Sequence, residues 1–144
     1  IIADIVNYSL TYTMRGCKSN MSPDDYFMDL KRVIMACSGQ ARRITVIMPY
    51  LYEGRQHLRI VNESLDCAQA LKELIAMGVE TIITFDAHDN RVQNAIPIHG
   101  FDNFFTSYQF ISTLLESNPD VIADKDHLMI ISPDEGGMRR AVYY

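Results

Sequence analysis

Three short stretches hold residue types that could do chemistry. Asp86-Ala87-His88-Asp89-Asn90 sets an imidazole between carboxylates. Carboxylate oxygens are hard donors and an imidazole nitrogen is a borderline one, so Asp86 and His88 could serve a divalent cation. The same letters also fit a polar loop whose Asp and Asn satisfy turn backbone groups. Ser132-Pro133-Asp134-Glu135-Gly136-Gly137 is the second stretch. Its glycines let a backbone approach a ligand closely, and free N–H groups at a helix start suit a phosphate. Asp134 could then hold the metal that such a phosphate brings; the alternative is an ordinary turn capped by that aspartate. In the third, Arg55-Gln56-His57 follows Tyr50 and Tyr52. An arginine with aromatic neighbours can stack on a base and contact phosphate. On the residues alone, a solvated loop with a structural tyrosine is the better account. His99 and His127 lack comparable neighbours and read as surface or core histidines.

The elements that position these stretches follow from periodicity. Residues 1 to 8 read as a buried strand and 9 to 21 as a long polar loop. Ser22-Pro23-Asp24-Asp25 is a helix start, with a capping serine, proline at the first helical position and acids at the positive dipole end. Phe27, Leu30, Ile34 and Cys37 then fall at helical spacing, and Gly39 stops the helix. Residues 43 to 49 predict a strand, 64 to 77 a helix closed by Gly78, and 80 to 85 a strand rich in β-branched residues. The stretch 86 to 106 reads as irregular, with a short strand near Pro97 to Phe101; 107 to 116 reads as helix, 126 to 132 as strand and 136 to 144 as the start of a helix. Alternating strands and helices predict an α/β fold with a parallel sheet flanked by helices. Ligands of such sheets bind where the strands end. The three candidate stretches follow the expected strand ends at Pro49, Asp86 and Pro133.

Composition narrows the function classes. The 144 residues are 48% hydrophobic and 22% charged, as in an ordinary globular domain. No apolar run approaches the ~20 residues of a membrane-spanning helix, and the first residues do not form a signal peptide. The expectation is a cytoplasmic protein with no membrane partner. A net charge of −5 argues against a nucleic-acid partner, though a small anion needs only a local positive site. Three widely spaced cysteines give neither a disulfide framework nor a zinc motif. The eight methionines read as core packing. Ile1 opens inside an apolar run and Tyr144 ends inside a helical pattern, so the chain is expected to be a piece truncated at both ends.

Taken together and in order, the stretches resemble the ribose-phosphate pyrophosphokinase (phosphoribosyl pyrophosphate synthetase) family. Ile47-Met48-Pro49-Tyr50 with Arg55-Gln56 resembles its proline-tyrosine strand end and arginine-glutamine pair. Thr84-Phe85-Asp86-Ala87-His88 resembles its aspartate-x-histidine signature, followed by Asp102-Asn103. Ser132 to Ala141 resembles its pyrophosphate loop and the helix after it. The resemblance implies a phosphoribosyltransferase-like fold, with residues 1–125 giving most of the N-terminal domain and 126–144 opening the second. It implies transfer of the diphosphoryl group of Mg-ATP to ribose 5-phosphate, giving phosphoribosyl pyrophosphate and AMP. Arg55 and Gln56 would contact ATP. His88 would be catalytic and, with Asp86 and Asp134, would serve Mg2+. Asp134, Glu135, Gly136 and Gly137 would cradle pyrophosphate. A homo-oligomer is also implied.

Some positions depart from the family pattern. His57 stands where an aspartate is usual, Glu63 for an arginine, Leu65 for a proline, Gln69 for a lysine, and Asp89 for a small residue. The stretch from Gln93 to Phe101 lacks the usual glycine and paired phenylalanines. These changes point to a divergent branch. The ribose 5-phosphate loop, the basic closing loop and the opening strands of the family are not in this chain, so the chain alone is expected to be inactive and to expose an apolar sheet edge prone to self-association. The competing expectation is a non-catalytic, synthetase-associated regulatory subunit.

Overall fold

The computed structural model describes residues 1–121, 124 and 126–144. The chain divides into two compact units, Ile1–Phe104 and Phe105–Tyr144. The expected domain boundary after residue 125 falls on a position outside the described residues.

The first unit is built on a parallel three-stranded sheet of β3 (Ile44–Met48), β4 (Val79–Phe85) and β5 (Gly100–Phe104), in that order across the sheet. Alternation decides which side is buried. Val46 and Met48 of β3 lie beside Ile82 and Thr84 of β4, and all four are almost wholly excluded from solvent. Two helices complete this core. Helix α1 (Pro23–Cys37) contributes Phe27, Leu30 and Ile34, and helix α2 (Asp66–Ala76) contributes Cys67, Ala70, Leu71 and Leu74.

Helix α1 begins where its sequence signal lies. Ser22 Oγ accepts the Asp25 N–H at 3.1 Å, and Asp25 Oδ2 accepts the Ser22 N–H at 2.9 Å, a reciprocal capping box. Lys31 bridges to Glu73 of α2 at 3.1 Å and also lies over the Phe27 ring, which ties the two helices together beside the core.

Several expected elements differ. Residues 1 to 8 do not form a full strand. Only residues 1–3 run along β3, through a parallel bridge of Ile2 to Ile47, and Ile5 is the one deeply buried side chain of the stretch. The polar loop 9 to 21 instead holds an antiparallel hairpin, β1 (Thr11–Met14) with β2 (Cys17–Asn20). Arg15 and Gly16 turn it with φ of 51° and 81°, the paired left-handed values that a two-residue hairpin turn needs. β5 starts at Gly100 and runs to Phe104, later than the expected strand near Pro97, because its ladder partners are Thr81 to Phe85.

In the second unit, α3 (Ser107–Ser117) matches expectation closely, and Phe105 stacks on Tyr143 at 4.4 Å. The strand expected over 126 to 132 is absent. Met129 and Ile131 are more than three-quarters exposed and the segment has no ladder partner among the described residues. Hydrophobic letters alone do not make a strand where nothing pairs with the backbone. The helix expected from residue 136 is the single turn α4 (Met138–Ala141).

Candidate active site

The carboxyl ends of β3 and β4 feed two loops that meet. The loop after β3 is anchored before it reaches its polar residues. Leu51 is buried, and its carbonyl accepts the Gly54 N–H at 3.0 Å. Tyr52 stacks on Phe27 of α1 at 4.2 Å, the rings nearly parallel, and its hydroxyl donates to Asp24 at 2.7 Å. Burial and then this carboxylate push the Tyr52 phenol well above its ordinary range. Tyr52 is thus structural, as the residues alone indicated, and its face is taken by Phe27. The Gln56 N–H bonds Glu53 O at 2.8 Å and its carbonyl accepts the Cys67 N–H at 3.3 Å, which fixes the loop to the start of α2. Burial pushes the Cys67 thiol up to about 12, so it stays protonated and unreactive. Arg55 itself is exposed.

The loop after β4 turns sharply. Asp86 has φ of 45°, in the left-handed region, and its N–H bonds Phe104 O at 2.9 Å. The Ala87 N–H bonds the side-chain oxygen of Asn103 at 2.9 Å. The end of β5 therefore braces the turn that presents His88 to solvent. A residue held at positive φ costs energy that the surroundings must offset, a pattern common at functional sites. Asp89 then caps a 3-10 helix over Asn90–Ala95 by accepting the Arg91 N–H at 2.8 Å.

His57 joins the two loops. Its ring lies 4.9 Å from the ring of His88, tilted by 59°. Its Nε2 is 3.6 Å from Asp89 Oδ2, and its Nδ1 faces Arg55 O at 3.0 Å. Arg91 grips Asp89 from the other side, with Nε at 3.0 and 2.9 Å from the two carboxylate oxygens. That grip, with the charge of Arg91 and then of His57, holds the Asp89 carboxyl down at about 2, against a desolvation that works the other way. The fold thus brings Arg55, Gln56, Asp86 and His88 to one edge of the sheet. His57, Asp89 and Arg91 were not singled out as a set from the sequence, because the pairing of His57 with Asp89 is made between loops distant in the chain.

Asp134, Glu135, Gly136 and Gly137 belong to the second unit. There Asp134 Oδ1 accepts the Gly137 N–H at 2.8 Å, and Ser132 Oγ donates to Asp134 O at 2.6 Å. Gly137 lies close against the turn: a Cβ there would lie 2.6 Å from Ser132 Oγ, so the hydroxyl would have to move. Among the described residues no three His, Cys, Asp or Glu side chains converge as a metal site.

Comparison with known proteins gives this geometry a family. A family model for the N-terminal domain of ribose phosphate pyrophosphokinase matches residues 5–78, just over half of the chain. The chain belongs to the ribose-phosphate pyrophosphokinase family. It is 32% identical over 120 residues to a ribose-phosphate pyrophosphokinase of Maricaulis maris, a match covering 82% of this chain and 37% of that protein. A Synechococcus elongatus ribose-phosphate pyrophosphokinase is 31% identical over 137 residues, covering 90% of this chain and 39% of its own length. Such matches leave too few residues outside them to miss the stretch from 55 to 89. The fold is shared with the crystal structure of phosphoribosylpyrophosphate synthetase from Mycobacterium smegmatis, at a TM-score of 0.73 and 23% identity over 83% of this chain and 39% of that one. This chain therefore spans well under half the length of these pyrophosphokinases. No helix among the described residues is long and apolar enough to cross a membrane.

Proposed function

We propose that the protein carrying this chain is a ribose-phosphate diphosphokinase and that this chain supplies the nucleotide side of its active site. The 1-hydroxyl oxygen of ribose 5-phosphate attacks the β-phosphorus of ATP, the bond from that phosphorus to the α-phosphate oxygen breaks, and AMP leaves as the hydroxyl proton is lost to solvent. Such a transfer asks the protein for placement and charge neutralisation more than for a covalent nucleophile. The observation that carries this reading is the meeting of the Arg55-Gln56-His57 loop with the Asp86–Asp89 loop at the ends of adjacent parallel strands.

Arg55 and Gln56 hold the nucleotide in this reading. His88 acts at the reacting phosphates. Asp134 to Gly137 form the pyrophosphate loop of the second domain, which starts near residue 126. Mg2+ fits the donors present. It is usually bound through one or two carboxylates plus substrate phosphates and waters, so it needs no three-residue protein cage. Asp86 and His88 of the first unit and Asp134 of the second are the residues proposed to serve it. When bound with the nucleotide, the ion neutralises phosphate charge. We place the protein in the cytoplasm as a homo-oligomer.

The test is AMP formation by the full-length protein, which should require both ATP and ribose 5-phosphate. His88→Ala should lower the rate at least tenfold, about 1.4 kcal/mol of transition-state stabilisation. An unchanged rate removes His88 from the mechanism. No ribose 5-phosphate-dependent AMP from the unaltered protein would favour a non-catalytic, synthetase-associated subunit instead. The 144-residue chain alone should show no turnover.

A further inference from the structure

We infer that Asp89 and His57 are positioning residues that lock the nucleotide loop after β3 to the loop bearing His88. The inference deepens the proposed function and rests on it. Three observations carry it, all within the first unit. First, Asp89 is anchored on its own side: Arg91 Nε reaches both of its oxygens, its Nη2 reaches Oδ2 at 2.5 Å, and the Arg91 N–H bonds Oδ1 at 2.8 Å. The carboxylate therefore has one geometry. Second, the oxygen turned away from the helix start faces His57 Nε2 at 3.6 Å, while His57 Nδ1 faces the backbone carbonyl of Arg55 at 3.0 Å. His57 thus faces an acceptor at each nitrogen, one on its own loop and one on the opposite loop, and the contact with Asp89 is an ion pair made by the doubly protonated ring. Third, the link is shielded. The side chains of His57 and Asp89 are 19% and 12% exposed, whereas the surface pair Arg32 and Asp29 is more than half exposed at both ends. Solvent weakens a shielded pair much less.

The consequence is mechanical. The Arg55 backbone, the His57 ring and the His88 ring form one packed series, with the two rings 4.9 Å apart. Asp89 fixes the middle member of that series, the His57 ring. Arg55 can then meet a nucleotide at a set distance from His88 only while the link holds. Ordering the Arg55 loop in advance spares the nucleotide that cost on binding, so loss of the link falls on affinity.

Hydrogen exchange and kinetics on the full-length protein test this together. The Gln56 N–H is protected by its bond to Glu53 O and reports the β3 loop from the side opposite Asp89. In Asp89→Ala, exchange at Gln56 should quicken about tenfold while β3 and β4 amides keep their rates. Asp89→Asn, which keeps an acceptor for Arg91, serves the same measurement if the alanine variant quickens the strand amides as well. Unchanged Gln56 exchange with intact strands in either variant overturns the inference, whether or not the enzyme is active. In activity, His57→Ala and Asp89→Ala should each raise KM for ATP about fivefold or more with kcat within about twofold. The double variant should be no worse than the poorer single one, and His57→Gln, which keeps a donor toward Asp89, should recover most of the loss. Altered exchange with unchanged KM would make the link merely structural and overturn its positioning role. An unaltered protein that forms no AMP would sink the proposed function and leave the exchange result to judge the coupling.

Discussion

Thr84 offers a direct measure of how the sheet end beneath the site is built. Its side chain is fully buried on β4, two residues before Asp86, and its hydroxyl is the buried side-chain polar atom that finds no hydrogen-bond partner among the described residues. Its neighbours across the two ladders are Met48, also buried, and Asn103, whose side-chain oxygen accepts the Ala87 N–H. A buried hydroxyl left unpaired costs about 1–3 kcal/mol. Thr84→Val replaces that hydroxyl with a methyl group of similar size, removing the penalty and adding up to about 0.8 kcal/mol of apolar burial. The net expectation is a gain of about 2 kcal/mol. For a unit of this size that is roughly 8 °C in melting temperature, at about 4 °C per kcal/mol. Thr84→Ser supplies the opposite sign, since it keeps the hydroxyl and deletes a buried methyl, and should lose about 1 kcal/mol. Thermal unfolding followed by circular dichroism reads both. A Thr84→Val protein that melts at or below the temperature of the unaltered one would refute the reasoning, because the hydroxyl would then be bonded in solution.

Other outcomes follow from the same geometry. The folded Asp89 carboxyl is held at about 2, below its ordinary 3.8, so its contribution to stability is complete above about pH 4 and is lost as pH falls through about 2; Asp89→Asn should flatten the melting-temperature profile between pH 4.5 and 2.5 relative to the unaltered protein. Leu74→Ala removes a fully buried side chain from the α2 face of the core and should cost roughly 2–5 kcal/mol in denaturant titration. Gly137→Ala would place its Cβ 2.6 Å from Ser132 Oγ, so it should break the Ser132 bond to Asp134 O and, in the full-length protein, raise KM for ATP or ribose 5-phosphate several-fold.

Much of the fold was legible where local signals and burial agree. Ser22-Pro23 marked the start of α1 because a cap, a proline and an apolar stripe all favour the same element. β3 and β4 announced themselves through Ile44-Thr45-Val46-Ile47 and Thr81-Ile82-Ile83-Thr84, β-branched runs buried on one face. The hairpin of β1 and β2 was not legible from alternation. All but Ser19 of its strand residues are exposed, so no apolar face marks a period of two; the remaining cue was Gly16 in the turn. The run Leu128-Met129-Ile130-Ile131 misled for the converse reason, since its apolar letters carry no partner backbone. At the site, Asp86 and His88 could be found because a strand must end somewhere and parallel sheets place function there. His57 read as a member of the Arg55-Gln56-His57 stretch and as a departure from a pattern, with no partner assigned. Its contact with His88 and its pairing with Asp89 arise from the packing of loops some thirty residues apart, which no spacing along one loop encodes.

The Asp134 turn shows how a capped loop and a phosphate loop can share one sequence. A carboxylate that accepts the Gly137 N–H satisfies the same donor that an incoming phosphate oxygen would take. The two bonds exclude each other, so in the proposed function a phosphate that took this N–H would displace the Asp134 side chain. A displaced aspartate is then free to turn toward the cation that accompanies the phosphate. In the function proposed above, glycine amides for an anion and an aspartate for a metal would be successive states of one turn. A Cβ at Gly137 would meet Ser132 Oγ in the capped form, and in the proposed loaded form it would stand between the backbone and the phosphate. An ordinary capped turn needs Asp134 and tolerates many residues two positions on. A turn that must also open onto an anion needs Gly136 and Gly137 together with the aspartate, and that is the combination this chain carries.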